Sequence, residues 1–304
     1  MSQSRRSFVK KSALAIAGTA LFSDKIFAAF KDDTVLSIQL YSVRDAMHKE
    51  PLPTLKKVAA MGYKNVEHAN YVNRKFYGYT ATEFKKVLDD LGMKMPSGHT
   101  VLGKDDWDAQ KNDFTDKWKY TVDDAATVEQ KYVISPWLDD SMRKNISDFK
   151  RYMDVFNKCG ELCQKQGMKF GYHNHDFEFT VKLDGQTLYD LILDNTDPAL
   201  VAQQMDIGNM YGAGGRALDI LSRYPNRFEL LHVKDEIKSG KGEMAGGYES
   251  TVLGKGVLPV KQICDDFKKK GGTIYYVVEQ ESYQGQDPVD AIREDYDAMK
   301  KWGY

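Results

Sequence analysis

Carboxylate and imidazole side chains recur in this chain just behind short apolar runs: Glu67, His99, the pair His173 and His175, Asp206, His232 and Glu279. A single His or Asp at the end of a strand is most often a cap or an ordinary hydrogen-bond partner. The same residue types at the same place in successive units point instead to a site. Oxygen and nitrogen donors on a rigid frame, with no thiolate among them, suit one divalent ion of the Mn2+, Zn2+ or Co2+ kind and leave positions open for substrate oxygens. Such an ion eases removal of a proton beside a carbonyl by stabilising charge as it develops on oxygen.

Those residues need elements that bring them together. From residue 35 onward, apolar runs alternate with segments of helical period, the pattern of βα units and a parallel sheet. Eight strands are expected, at residues 35–41, 65–68, 94–99, 132–134, 169–175, 201–206, 229–234 and 274–279. Helices are expected at 52–61, 82–91, 142–166, 188–194, 260–269 and 288–301, with stop signals at Gly62, Gly92, Gly167 and the Gly271-Gly272 pair. Eight βα units predict a single (β/α)8 TIM barrel, whose strand ends converge on one mouth. Periodicity alone leaves a doubly wound open sheet as the alternative. No G-x-G-x-x-G or G-x-x-x-x-G-K segment opens a helix, which argues against a nucleotide-binding version. Alternation along a strand places His173 and His175 on one face with Gly171, and His232 with Lys234. The Gly-rich stretch 238–256 reads as a long loop without periodicity, a length that in a compact domain often carries function.

The 304 residues carry 43 basic and 44 acidic side chains, so the overall charge gives no reason to expect nucleic acid or a membrane surface as partner. A small neutral or weakly charged ligand fits better; the 18 tyrosines suit carbohydrate stacking and ordinary packing alike. Cys159, Cys163 and Cys264 read as small buried residues and not as a disulfide framework. Residues 1–29 read as an address. Ser4-Arg5-Arg6-Ser7-Phe8-Val9-Lys10 is a twin-arginine (Tat) pattern, followed by an apolar run over 12–22 and a small-residue stretch at Ala28-Ala29. The apolar run is too short for a stable membrane anchor. The expectation is an exported, periplasmic protein with a barrel domain over 30–304. Export by this route moves folded proteins, so a metal could be loaded beforehand, and phosphorylated metabolites are poor candidate substrates.

Several segments together resemble the xylose-isomerase-like barrel superfamily of sugar phosphate isomerases and epimerases. They are Gln39-Leu40-Tyr41-Ser42-Val43-Arg44-Asp45, Gly171-Tyr172-His173-Asn174-His175-Asp176-Phe177-Glu178-Phe179, Asp206-Ile207-Gly208-Asn209, His232-Val233-Lys234-Asp235, Gly254-Lys255-Gly256 and Val278-Glu279. The resemblance implies that Asp206, His232 and Glu279 are three of four metal ligands and that Glu279 also moves protons. The fourth ligand of sugar epimerases is usually a Glu on the fifth strand, and Gly171 stands at that position here. This leaves His173, His175 or Glu178 to complete the set, with His175 favoured on reach. His173, Lys234 and Glu178 are further expected in the catalytic machinery, Lys234 holding an oxyanion, while His99, Glu67, Tyr41 and Asn209 are expected to face the substrate. By the resemblance a small, non-phosphorylated sugar or keto-sugar is the expected ligand, and isomerase or epimerase chemistry on it stands first by the breadth of the superfamily. A keto-glycoside lyase or dehydratase is the alternative, because loss of the fifth-strand carboxylate removes one of the two bases that epimerisation uses and β-elimination can run with one. A sugar-binding barrel without turnover is the rival of another class, and a metal-dependent endonuclease is disfavoured by the balanced charge.

Overall fold

Short runs rich in Val, Ile, Leu, Phe and Tyr form eight parallel strands: β1 (Val35–Gln39), β2 (Asn65–His68), β3 (Lys94–His99), β4 (Tyr132–Ser135), β5 (Lys169–His173), β6 (Val201–Asp206), β7 (Leu230–Val233) and β8 (Tyr275–Val278). In this computed structural model, which describes residues 34–240, 242 and 244–304, they close in the order β1-β8-β7-β6-β5-β4-β3-β2, with β1 pairing both β8 and β2. The expected barrel is therefore present and the open-sheet alternative is excluded. The proposed export signal over residues 1–29 lies outside the described residues.

Each strand is followed by a covering helix: α1 (Pro51–Met61), α2 (Ala81–Asp90), α3 (Asp116–Thr127), α4 (Ile146–Gln164), α5 (Leu188–Asn195), α6 (Ala217–Arg223), α7 (Val260–Lys270) and α8 (Pro288–Trp302). Local chemistry sets their ends. Thr80 and Glu83 cap α2 reciprocally, through Thr80 N to Glu83 Oε2 at 2.8 Å and Glu83 N to Thr80 Oγ1 at 3.3 Å, an arrangement whose loss costs about 1 kcal/mol. Gly62 closes α1 at φ 114°, and a Cβ there would stand 2.2 Å from Tyr296 Oη, so both backbone and packing require glycine.

Alternation divides the strand residues between two layers. The outward set, including Ile38, Val66, Phe170, Tyr172, Met205 and Tyr276, is buried beneath the helices. The inward set changes along the barrel axis. Near the strand starts, Tyr132, Ile134, Ala202 and Leu230 form a small apolar cluster against Tyr275. Nearer the strand ends it becomes polar, with Gln39, Glu67, His99, His173, Gln204, Asp206, His232 and Glu279, nearly all buried.

Four expectations need correction. The first strand ends at Gln39, and Leu40–Val43 form a 3-10 turn that carries Tyr41. The fifth strand ends at His173, so His175 lies beyond it. The seventh ends at Val233, and the chain then starts an antiparallel hairpin in which Asp235–Lys238 pairs with Tyr248–Thr251. The stretch 238–256 is therefore partly strand, which its glycines concealed. The fourth helix runs over Ile146–Gln164, a shorter span than 142–166, because Asn145 caps its start by accepting from Asp148 N.

Candidate metal centre at the barrel mouth

Neighbouring strands bring the donors together. Asp206 and His232 are register partners across β6 and β7, His173 pairs with Gln204 across β5 and β6, and Glu279 follows directly after β8, which pairs with β7. One donor atom each from His173, Asp206, His232 and Glu279 lies within 4.8 Å of all the others, and all four residues are buried. The fourth member is His173. The sequence favoured His175, which the earlier end of β5 carries past the cluster.

His232 is gripped at both nitrogens. Nδ1 lies 3.0 Å from Glu279 Oε2 and 3.7 Å from Asp206 Oδ2, while Nε2 lies 2.7 Å from Glu67 Oε1. Burial disfavours the imidazolium, but Glu279 and Glu67 outweigh it and hold the ring's pKa well above the ordinary histidine range. Ligation through Nδ1 would release that proton and keep Nε2–H on Glu67, the pattern in which a ligating histidine gives its other N–H to a carboxylate.

Asp206 supplies an independent test of fit. Its Oδ1 accepts from Gly208 N at 2.8 Å and Asn209 N at 2.7 Å, whereas its buried Oδ2 has no well-directed hydrogen bond among the described residues. That oxygen is ion-paired with the Lys234 ammonium, 3.1 Å away, and lies beside the His232 ring. One ammonium compensates its charge but does not use all its lone pairs, so the oxygen is also placed to take a metal cation. The donor set, all oxygen and imidazole nitrogen, fits a divalent metal.

Glu67 does not face the substrate as expected. It is fully buried and accepts from Gln39 Nε2 at 2.8 Å and Gln204 Nε2 at 2.7 Å, with His99 Nε2 at 3.0 Å in addition to His232. Burial pushes its carboxyl up, yet His99 and His232 overcome that and hold its pKa well below the carboxylate range. Gln204 extends the lattice, its Oε1 standing 2.7 Å from His99 Nε2 and 3.1 Å from His173 Nδ1. This leaves Nε2 of His173 for ligation. His99 thus braces the donors from within.

Lys234 is fully buried, with Nζ 2.9 Å from Glu279 Oε2, 2.8 Å from Glu281 Oε2 and 3.2 Å from Asn209 Oδ1. Burial lowers its pKa, but Asp206, Glu279 and Glu281 more than reverse that. Glu279 moves oppositely: burial raises its pKa, and Lys234 and His232 pull it below the usual range. Glu281 is raised, by burial working against Lys234. Ser250 Oγ fixes the Glu281 backbone by accepting Glu281 N at 2.7 Å and Ser282 N at 2.8 Å.

Glu178 is also misplaced by the sequence reading. It is buried away from the donors, accepting from Tyr172 Oη and from His175 N at 2.9 Å, and burial lifts its carboxyl to about 8. It holds the turn that carries His175. A cavity of about 240 Å3 opens above the cluster, walled by Tyr41, His175, Asn209, Glu249, Glu281 and Ser282 among others. Tyr41 and Asn209 are therefore at the mouth as expected. Gln204, Gln39 and Glu281 were missed, although Gln204 lies two residues before Asp206 on β6 and so shares its face; Glu281, beyond the end of β8, carried no such signal.

The chain belongs to the xylose isomerase-like TIM barrel family, whose profile matches residues 55–302. It is 32% identical over 170 residues to an inosose dehydratase of Clostridium perfringens, a match spanning 52% of this chain and 54% of that protein. The chain thus spans about half the length of that relative. With an inosose dehydratase of Clostridium beijerinckii it shares 26% identity over 278 residues, 82% of this chain and 87% of the relative. Among solved structures, a sugar phosphate isomerase/epimerase of Parabacteroides distasonis superposes with a TM-score of 0.74 at 24% identity, over 88% of this chain and 94% of the other. The IolI protein with a bound zinc atom superposes with a TM-score of 0.68 at 12% identity, over 88% and 98%.

Proposed function

We propose that the chain is an exported metal-dependent lyase or dehydratase that removes a β-oxygen substituent from a non-phosphorylated keto-sugar or keto-cyclitol. The relatives named as dehydratases support this reading. It reverses the order expected from sequence, in which isomerase or epimerase chemistry stood first. The observation that carries it is the pairing of Glu281 with Lys234 on one side of the mouth, while the inward positions of β5 are Gly171 and His173. A Cβ on Gly171 would stand 2.5 Å from Ile134 Cδ1, so its neighbour already fills that space. Epimerisation needs a second base on the other face of the substrate carbon, and β5 offers no carboxylate for it.

A divalent ion held by His173, Asp206, His232 and Glu279 would supply stabilisation of negative charge on the substrate carbonyl oxygen. Glu281, on the cavity wall with its carboxyl raised by burial, takes the proton beside the carbonyl. In this proposal the proton-moving role expected of Glu279 passes to Glu281. Lys234 compensates the charge changes on Glu281 at 2.8 Å. The C–H electron pair becomes the new C=C bond as the β C–O bond breaks. Glu281 returns the proton to the departing oxygen, giving an unsaturated ketone plus water or an alcohol. His175, on the cavity wall, hydrogen-bonds that departing oxygen through its ring.

Turnover of 3-keto-glucosides and inososes in deuterated water, followed by NMR together with bound-metal analysis, tests the proposal. Glu279→Gln is expected to lose metal and activity, whereas Glu281→Gln keeps metal and loses proton abstraction. Deuterium uptake with an isomer or epimer as sole product would restore the isomerase reading. A metal-free chain inert towards every substrate would favour a sugar-binding barrel. Export through the twin-arginine signal is part of the same proposal, and replacing Arg5 and Arg6 by Lys should retain the protein in the cytoplasm.

A further inference from the structure

Trp137 lies just past the end of β4, on the mouth side of the barrel, with 41% of its surface exposed. Most large aromatic side chains here are covered, and this one is also braced. Its ring meets Phe177 edge-on at 5.1 Å and His175 edge-on at 5.4 Å. The Arg143 guanidinium sits 3.7 Å from the Phe177 ring and 5.7 Å from the Trp137 ring, and Arg143 is itself paired with Asp140. An indole held on one side and open on the other presents a rigid, low-entropy surface for an amphipathic ring.

Its position relative to the donors supplies the second argument. His173 of the donor cluster contacts the His175 ring at 5.1 Å, and His175 contacts Trp137 at 5.4 Å. The indole is thus two ring contacts out from the donor cluster. The mouth cavity of about 240 Å3 falls below the ~300–1,000 Å3 usual for larger ligands and has room for one six-membered ring. A second ring joined to the first lies outside that cavity, and His175, at once a wall of the cavity and a ring contact of Trp137, puts the exposed indole at its edge.

We infer that Trp137 forms a second subsite that binds the leaving group, and that the substrate is a keto-glycoside whose leaving group is another sugar ring, not a lone cyclitol losing water. This rests on the elimination reading. The C–O bond that breaks is then the glycosidic bond at the carbon β to the ketone. Its oxygen departs with the second ring, takes the proton and leaves as the hydroxyl of a free sugar, so no other reactant is required.

Calorimetric titration of the metal-loaded protein with methyl β-glucoside and with cellobiose, neither of them oxidised, measures the subsite without chemistry. Cellobiose is expected to bind at least about 10-fold tighter than the methyl glucoside, with Trp137→Gln abolishing the preference and Trp137→Phe keeping part of it. The methyl glucoside affinity, bound metal and melting temperature should stay unchanged in both variants, which separates a subsite from a packing role. Equal affinity for the two sugars, no binding of either, or a preference that survives Trp137→Gln overturns the inference. With keto substrates, a disaccharide preference in binding without elimination would sink the elimination reading and leave the subsite standing. Elimination that ignores Trp137 would sink the subsite alone.

Discussion

Glu67 Oε1 lies 2.7 Å from His232 Nε2, on the opposite side of the ring from the donor cluster, and all its other polar contacts are to Gln39, His99 and Gln204. It aims a ligand without touching the mouth. Glu67→Gln is expected to weaken metal affinity about 10–100-fold while leaving binding of substrate to the loaded enzyme close to normal. Competition with a chromogenic chelator measures the first quantity, and KM at saturating metal the second. Unchanged metal affinity would remove the orienting role.

Lys234 balances the carboxylates of Asp206, Glu279 and Glu281 from a fully buried position. Removing one partner of a buried ion cluster strands the others, a loss of about 3–5 kcal/mol. Lys234→Met should therefore melt well below the wild type in EDTA, and added Mn2+ or Zn2+ should recover more stability in the variant than in the wild type. Equal metal-induced shifts in the two proteins would show that the ammonium and the ion do not act on the same carboxylates.

Glu178 gives a pH signature. Its folded carboxyl is raised to about 8 by burial, against about 4.3 for an unperturbed Glu. Between those values the folded state holds a proton that the unfolded state has released, so stability falls as pH rises through this window. Glu178→Gln should flatten the decline in melting temperature between pH 5 and pH 8, and Tyr172 and His175 N keep a side-chain partner. A variant whose pH profile parallels the wild type would show that Glu178 is not the group responsible.

Packing is testable at Gly98 on β3. A Cβ there would fall 1.9 Å from His68 Cδ2 and 2.6 Å from Gln130 Nε2, inside a buried layer. Gly98→Ala is expected to cost about 1–3 kcal/mol in urea unfolding. Activity of the folded fraction should be retained, since Gly98 points outward, away from His99.

The barrel and three of its donors were legible because each depends on local pattern. Apolar runs ending in Asp206, His232 and Glu279 mark strand ends wherever the strands lie in space. What escaped depends on exact strand length and on long-range contacts. The choice between His173 and His175 turns on where β5 stops pairing, which alternation does not register. Glu67 looks like any mouth carboxylate until Gln39 and Gln204, from β1 and β6, are seen to consume its oxygens. Glu178 was misread for the same reason, since Tyr172 faces the helices and draws it away from the mouth. The hairpin at Asp235–Lys238 and Tyr248–Thr251 was hidden by its Gly-rich tip.

The four donors come from β5, β6, β7 and the end of β8, all in the second half of the chain, whereas Glu67, which secures His232, comes from β2. A ribosome would finish the residue that orients the site long before it makes the residues that fill it. If the cluster takes the ion proposed for it, high-affinity capture requires β1 to pair with β8, which brings β2 and Glu67 round to β7, so ion uptake would report that the ring of strands has closed. Fragments cut between β4 and β5 should each bind metal poorly and recover affinity only on reassociation.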